Sequence, residues 1–226
     1  MIDLYTDATP NGLKISIALE EMGLDYAPHS VFLGGEQFAP EFSALNPNNK
    51  IPVLVDNGFT LSESGAILIY LAEKTGKFLP SDSIDRAKVL EILMFQMGSL
   101  GPMFGQYLVF AAAWGNEFPD VTNRYFIEVS RILRVLEARL ANNDYLAGND
   151  YSIADMACIP WIRMCKIHPA TSSLPFAENP KLVAWFDRMS QRPAVIKGLA
   201  TPEPFPMEKQ FEGFIKATVG LGDLHR

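Results

Sequence analysis

The hydrophobic period of this chain switches once, near residue 80, and no other feature narrows the fold as far. Before the switch, short alternating runs interleave with helical ones; after it, most apolar residues recur at helical spacing. Ile2 and Leu4 read as a first strand closing near Ala8. Ile15, Ala18, Leu19 and Met22 then recur as one helix, and Gly23 supplies its stop. Residues 26–33 read as a second strand, which gives a β-α-β start with a right-handed crossover. The stretch 34–49 is polar and turn-rich, with a brief helical piece over 40–44. Residues 52–55 return to strand, Asp56-Asn57-Gly58 is a hairpin signal, and 59–61 complete the pair. Ala66, Ile67, Ile69, Tyr70 and Leu71 mark a helix over 62–73. The order β-α-β-α-β-β-α predicts an α/β unit of two parallel strands plus an antiparallel hairpin, covered by helices.

Phe78-Leu79-Pro80 closes that unit. The chain therefore divides into a first domain over 1–80, a linker over 81–84, an all-α domain over 85–200 and an extension over 201–226. Helices are expected over 85–113 and 122–142, the second with an apolar stripe of Ile127, Ile132, Leu133, Leu136 and Leu140. Ser152-Ile153-Ala154-Asp155 has capping-box spacing and opens a helix to about residue 167, apolar enough to be central and buried. Leu182, Val183, Trp185, Phe186 and Met189 mark another, broken at Arg192-Pro193, with a short helix to 199. The extension carries Pro202, Pro204 and Pro206, then Phe211, Phe214 and Ile215, and reads as a packed appendage. A chain of 226 residues can bury about 70% of its extended surface, enough for a substantial core.

Composition removes several classes of function. The 26 acidic and 19 basic residues leave a net charge of −7. An acidic chain is repelled by a phosphate backbone unless it concentrates basic side chains. Its densest basic stretch, 131–139, is interrupted by Glu137 and apolar residues, which argues against nucleic acid as a partner. The longest apolar run, 107–114, falls far short of the roughly 18 residues that span a bilayer. The opening MIDLYTD lacks the basic and apolar regions of a signal peptide. Cys158 and Cys165 form no disulfide framework, and a reducing cytoplasm is expected. His29, His168 and His225 are scattered, the two thiols lack a histidine partner, and no metal is expected. There is no C-x-x-C, G-x-G-x-x-G or G-x-x-x-x-G-K. Thiol chemistry, if any, must come from a bound thiol.

Three polar stretches are left as candidates. Thr9-Pro10-Asn11-Gly12 lies between the first strand and first helix. Thr9 either caps that helix plainly or, with Asn11, offers a hydroxyl and an amide that stabilise a thiolate at the helix N-terminus. Pro52 enters a strand without loss of a ladder bond, and a cis Ile51–Pro52 bond would expose the Ile51 backbone to an extended, peptide-like ligand. Ser62-Glu63-Ser64-Gly65 opens the last helix of the unit. Its free N–H groups and a serine hydroxyl suit a carboxylate, and Glu63 suits an ammonium; the plain alternative is a serine cap with a solvated Glu63.

These stretches resemble a cytosolic glutathione transferase. Residues 1–7 with Thr9-Pro10-Asn11-Gly12, Pro47-Asn48-Asn49-Lys50-Ile51-Pro52 and Glu63-Ser64-Gly65-Ala66-Ile67-Leu68 are similar to the bacterial Nu class and to fungal relatives of the yeast prion nitrogen regulator. Tyr151-Ser152-Ile153-Ala154-Asp155 matches the family's buried capping motif. The resemblance spans residues 1 to about 200 and implies a thioredoxin-like domain followed by a helical one. It implies glutathione, as the thiol or its disulfide, as bound cosubstrate, and a homodimer. By the same resemblance the Ile51 backbone, with Pro52 cis, pairs with the cysteinyl part. Glu63 and Ser64 take the γ-glutamyl ammonium and carboxylate, and Lys50 the glycyl end. Gln37 stands near the tripeptide, Thr9 and Asn11 lie at the sulfur, and Arg124 reaches the ligand, in its own subunit or across the dimer.

Tyr5 lies too deep in the first strand to be the sulfur-activating tyrosine of other classes, and no serine or cysteine stands at the start of the first helix. The resemblance therefore implies the Nu-type activity, glutathione-dependent reduction of small disulfides, with weaker conjugation and peroxide reduction. The bound thiol, about 8.5 to 9 when free, needs only about 1.4 kcal/mol per unit of lowering. Its thiolate attacks a disulfide, and a second glutathione resolves the mixed disulfide. Met103, Phe104, Tyr107, Phe110 and Trp114 are candidates for the wall of a second-substrate pocket, or are simply core. Two other readings stay open: an ordinary transferase that conjugates glutathione to electrophiles, and a non-catalytic glutathione-binding regulatory module.

Overall fold

A computed structural model describes residues 1–114 and 117–203. The first domain runs β1 (Ile2–Thr6), α1 (Pro10–Met22), β2 (Tyr26–Ser30), α2 (Pro40–Leu45), β3 (Val53–Asp56), β4 (Phe59–Ser62) and α3 (Ser64–Thr75). The sheet order is β2-β1-β3-β4, with β1 parallel to β2 and antiparallel to β3, and β3 antiparallel to β4. The expected order of elements is present, with β2 ending at Ser30 rather than 33. Asn57 and Gly58 adopt φ of 50° and 86°, the paired positive angles of a tight two-residue hairpin turn.

One face of this sheet carries Ile2, Leu4 and Leu54 into a core shared with α1, α3 and the helical domain. The other face is covered by the segment containing α2, where Val31, Phe42, Ile51 and Val53 form a smaller cluster. Helix α1 is buried on nearly every side, against α3 and against α7 and α9 of the second domain. An ion pair reinforces this seam: Arg192 grips Glu21 through Nε and Nη2, at 2.6 and 2.8 Å.

The second domain comprises α4 (Ser83–Phe95), α5 (Gly101–Val109), α6 (Pro119–Arg139), α7 (Ile153–Ile167), α8 (Pro180–Ser190) and α9 (Pro193–Leu199). Asp82 caps α4 by accepting from the Ile84 and Asp85 amides, so the helix starts at Ser83, inside the expected linker. The single helix expected over 85–113 is interrupted by two wide π-type turns, Gln96–Leu100 and Phe110–Trp114. Pro102 explains the first: it has no N–H for the carbonyl four residues back, and its ring would strike that carbonyl, so the backbone widens. Helix α7 is the buried central helix anticipated, opened by a capping box in which Ser152 and Asp155 exchange bonds. Of the extension expected over 201–226, all beyond Glu203 lies outside the described residues.

Candidate functional site

Strand register brings the three candidate stretches to one end of the sheet. Tyr5 faces Val53 across β1 and β3, and Val53 faces Ser62 across β3 and β4. The segments just past those residues, Asp7–Asn11, Ile51–Pro52 and Glu63–Ser64, therefore sit side by side. The Ile51–Pro52 peptide is cis. Ile51 and Pro52 are buried, whereas Lys50 is exposed and its carbonyl accepts from Asn46 Nδ2 at 2.8 Å.

The start of α1 is tightly folded. A Cβ on Gly12 would lie 2.2 Å from the Asp7 carbonyl oxygen and 2.3 Å from Thr6 Oγ1, so only glycine lets the chain turn this sharply from β1 into the helix. Thr9 occupies the N-cap position, yet its hydroxyl makes no cap bond. The plain-cap reading therefore lacks its bond, and the first-turn amides stay open to a ligand. The Asn11 amide is oriented from the other domain: Trp161 Nε1 on α7 donates to Asn11 Oδ1 at 3.3 Å. With its oxygen engaged, the amide has its NH2 left to donate.

The start of α3 is equally uncapped. Its N-cap residue is Glu63, an exposed side chain with φ 69° and ψ 111° and no cap bond. Such a backbone angle in a non-glycine residue costs about 1–3 kcal/mol and marks positions held for a purpose. Ser64 is 6% exposed; its Oγ accepts from Lys14 Nζ at 3.2 Å and donates to Met97 Sδ at 3.7 Å.

Lys14 was not among the residues singled out from the sequence. It is 1% exposed, and besides Ser64 its Nζ donates to Gln96 Oε1 at 2.6 Å. Burial pushes its pKa down to about 7, against a smaller opposing pull from Cys158 and Glu63. Gln96 is fully buried on the wide turn before α5, and its Nε2 has no partner among the described residues. A Cβ on Gly101 would come within 2.8 Å of that nitrogen, so the glycine makes room for the amide. The signal for Lys14 was its setting: in Leu13-Lys14-Ile15-Ser16-Ile17-Ala18-Leu19 a lysine has no polar face to occupy.

The structure also places the remaining candidates. Gln37 is buried and spends both ends of its amide on its own loop, donating to the Leu33 carbonyl at 2.9 Å and accepting from the Gly35 amide at 3.0 Å. These bonds tie the loop. Phe104 is fully buried, 6.0 Å from the Trp161 ring. Tyr107 is also buried, its hydroxyl bonded to the Ala170 carbonyl and to Ser173. Both belong to the core, which leaves Met103, Phe110 and Trp114, all part-exposed, as candidate wall residues. Phe110 stacks on Tyr125 at 5.6 Å and meets Trp114 at 4.8 Å. Arg124 projects from α6, largely exposed, with Nη1 3.7 Å from Glu128. Burial drives the Cys158 thiol far above its ordinary value and Cys165 up to about 12, so neither is a ready nucleophile. Among the described residues no cluster of His, Cys, Asp and Glu could hold a metal ion, and no helix is long and apolar enough to cross a membrane.

Sheet, helical domain and site together define a class. Residues 8–74 match the glutathione S-transferase N-terminal domain and residues 102–193 the C-terminal domain. The chain belongs to the glutathione S-transferase family. Over 207 residues it is 45% identical to the disulfide-bond oxidoreductase YfcG of Escherichia coli, covering 88% of this chain and 94% of that one. A glutathione transferase of Burkholderia graminis, solved with two glutathione molecules bound per subunit, superposes with a TM-score of 0.85 at 44% identity, covering 89% and 88% of the two chains. A Pseudomonas putida glutathione transferase with one glutathione disulfide bound per subunit gives 0.84 at 41%, covering 89% and 91%.

Proposed function

We propose that this protein is a glutathione-dependent disulfide oxidoreductase built on the transferase fold. The carrying observation is the convergence of the uncapped starts of α1 and α3 on either side of Ile51–Pro52, with no protein thiol ready to act. Glutathione offers two carboxylates, an ammonium, an amide backbone and a thiol, spread over about 11 Å when extended. The Ser64 hydroxyl and α3 amides take the γ-glutamyl carboxylate, Glu63 the ammonium, the Ile51 backbone the cysteinyl unit, and Lys50 the glycyl carboxylate. The sulfur then lies at Thr9 and Asn11. There the helix N-terminus, the free hydroxyl and the Asn11 NH2 stabilise the thiolate.

The thiolate attacks one sulfur of a small disulfide RS–SR; the S–S bond breaks and RS⁻ leaves, taking a proton from water. A second glutathione thiolate attacks the mixed disulfide GS–SR, giving GSSG and another RS⁻. Two glutathiones are oxidised for each disulfide reduced, and no protein cysteine changes state. The names and bound ligands of the relatives above support this reading, since disulfide reduction by two thiols requires a site that accepts either two glutathiones or their disulfide. Met103, Phe110 and Trp114 would line the disulfide's side of the cleft, and Arg124 would reach it from the same subunit or a partner. The protein would act in the cytoplasm as a homodimer; light scattering on the eluted protein should give twice the 25.1 kDa chain mass.

The test is steady-state turnover of a hydroxyethyl disulfide with glutathione, coupled to glutathione reductase, beside conjugation of chlorodinitrobenzene. Disulfide turnover should dominate. Dominant conjugation would make the protein an ordinary transferase, and silence in both assays with glutathione still bound would make it a regulatory module.

A further inference from the structure

The least expected group in the molecule is the Lys14 ammonium. Its contacts are all neutral: Ser64 Oγ at 3.2 Å, Gln96 Oε1 at 2.6 Å and Met97 Sδ at 3.9 Å. They join the first domain's α1 and α3 to the wide turn ahead of α5. A lysine so deeply buried normally has an anionic partner, because neutral dipoles alone recover only part of the lost hydration.

Hydrogen-bond polarity shows what this arrangement is set to receive. An ammonium can only donate, so Ser64 Oγ must accept from it, and the serine proton must point elsewhere. It points at Met97 Sδ, 3.7 Å away, a weak acceptor that a carboxylate displaces easily. The same polarity turns the Gln96 oxygen toward Lys14 and leaves the amide nitrogen without a partner among the described residues.

We propose that Lys14 is a positioning residue and buried counter-charge for the ligand carboxylate at Ser64: the ammonium keeps the serine hydroxyl aimed outward as a donor, and the arriving carboxylate in turn holds the ammonium charged. This rests on the glutathione-binding reading above and adds a linked proton to it. Without ligand, burial lowers the Lys14 pKa to about 7. A carboxylate on Ser64 would stand roughly 6 Å from Nζ, close enough to raise that value by about one to two units. Ligand therefore binds the protonated form better. Affinity weakens as pH rises above about 7, by at most tenfold per unit, and binding takes up a proton in that window.

The groups facing Lys14 do not supply this behaviour themselves. From α3 there is Glu63, whose pull raises the Lys14 pKa against the effect of burial, and from α7 the Cys158 thiol, which burial keeps neutral. The turn before α5 contributes only Gln96 and Met97. The ion pairs with α9, Glu20–Lys197 and Glu21–Arg192, lie on the last turns of α1.

Calorimetric titration of the protein with S-methylglutathione, whose sulfur cannot ionise, tests this. It is run from about pH 6.5 to 8.5 in buffers of different ionisation enthalpy. Wild type should take up a substantial fraction of a proton near pH 8, and its Kd should rise roughly five- to twentyfold across the range. The analogue with its γ-glutamyl carboxylate converted to an amide should bind wild type and Lys14→Met with the same proton uptake, that of its own amine. Lys14→Met should bind S-methylglutathione with a flat pH profile, about tenfold more weakly at pH 6.5. Tight, pH-independent binding by wild type with no proton uptake would overturn the proposal while leaving the glutathione site standing. No binding at any pH would overturn that site and this proposal together. The wild-type measurement decides the matter even if Lys14→Met does not fold.

Discussion

Asp155 and Lys14 are both fully buried ionisable groups, and the fold treats them in opposite ways. Asp155 lies within one domain and is enclosed by donors. Its Oδ1 accepts from the Leu146 amide and Trp185 Nε1, its Oδ2 from the Ser152 amide and hydroxyl, at 2.9 to 3.2 Å. Burial pushes its carboxyl up to about 6, with those donors pulling it back down, so it stays charged at neutral pH with its charge satisfied. Lys14 lies between domains, has only neutral contacts, and is half-charged near neutrality. A satisfied buried charge fixes a structure. An unsatisfied one beside an open helix start is held ready for a ligand. Variants at each position should break this contrast in different observables.

The largest effect expected is structural. Asp155→Ala leaves four donors without an acceptor and should cost about 3–5 kcal/mol in urea unfolding. The surviving folded fraction should keep its ligand affinity and its specific activity.

Lys14→Met should do the reverse. Stability at pH 7 should change by less than about 2 kcal/mol, because an apolar side chain replaces a poorly paired buried charge. The pH dependence supplies a sharper sign. Between about 7 and 10.5 the unfolded chain holds a proton that folded Lys14 has lost, so wild-type stability should climb with pH, by up to about 1.4 kcal/mol per unit. That climb disappears as pH falls through 7, and unfolding curves of Lys14→Met should lack it throughout.

Trp161→Phe comes next. The ring still packs near Phe104, but the bond that orients Asn11 is gone. Turnover of the disulfide should fall roughly five- to tenfold, with about 1 kcal/mol or less of stability lost. An unchanged kcat would mean that Asn11 orients itself.

The smallest effect is expected at the cysteines. A Cys158→Ala, Cys165→Ala protein should retain disulfide turnover within about twofold, since the buried thiols are too weakly acidic to exchange. A large loss with the fold intact would require protein thiol chemistry.

The same contrast explains what could be read from the chain. The Asp155 site was legible because its defining spacing, Ser152 to Asp155, is local and belongs to a single helix start. The succession of strands and helices, the hairpin at Asn57-Gly58 and the three candidate stretches were legible for the same reason, and motif resemblance then grouped them. Lys14 meets Gln96 across 82 positions and Asn11 meets Trp161 across 150. Neither contact leaves a trace in local period or spacing. The wide turns were hidden because one extra residue per turn barely disturbs an apolar pattern; Pro102 marked the first alone. Phe104 and Tyr107 stayed open between pocket wall and core because an aromatic residue suits either, and only their burial separates the two.

The central claim is that a glutathione thiolate held at Thr9 and Asn11 reduces the disulfide. Its most direct test is disulfide turnover by Asn11→Ala beside wild type. The expected result is a fall in kcat of roughly tenfold or more, with the KM for glutathione moving less than about threefold, because the amide acts on the sulfur and the tripeptide is held elsewhere. A mutant with wild-type kcat would contradict the account and move the reacting sulfur away from the start of α1.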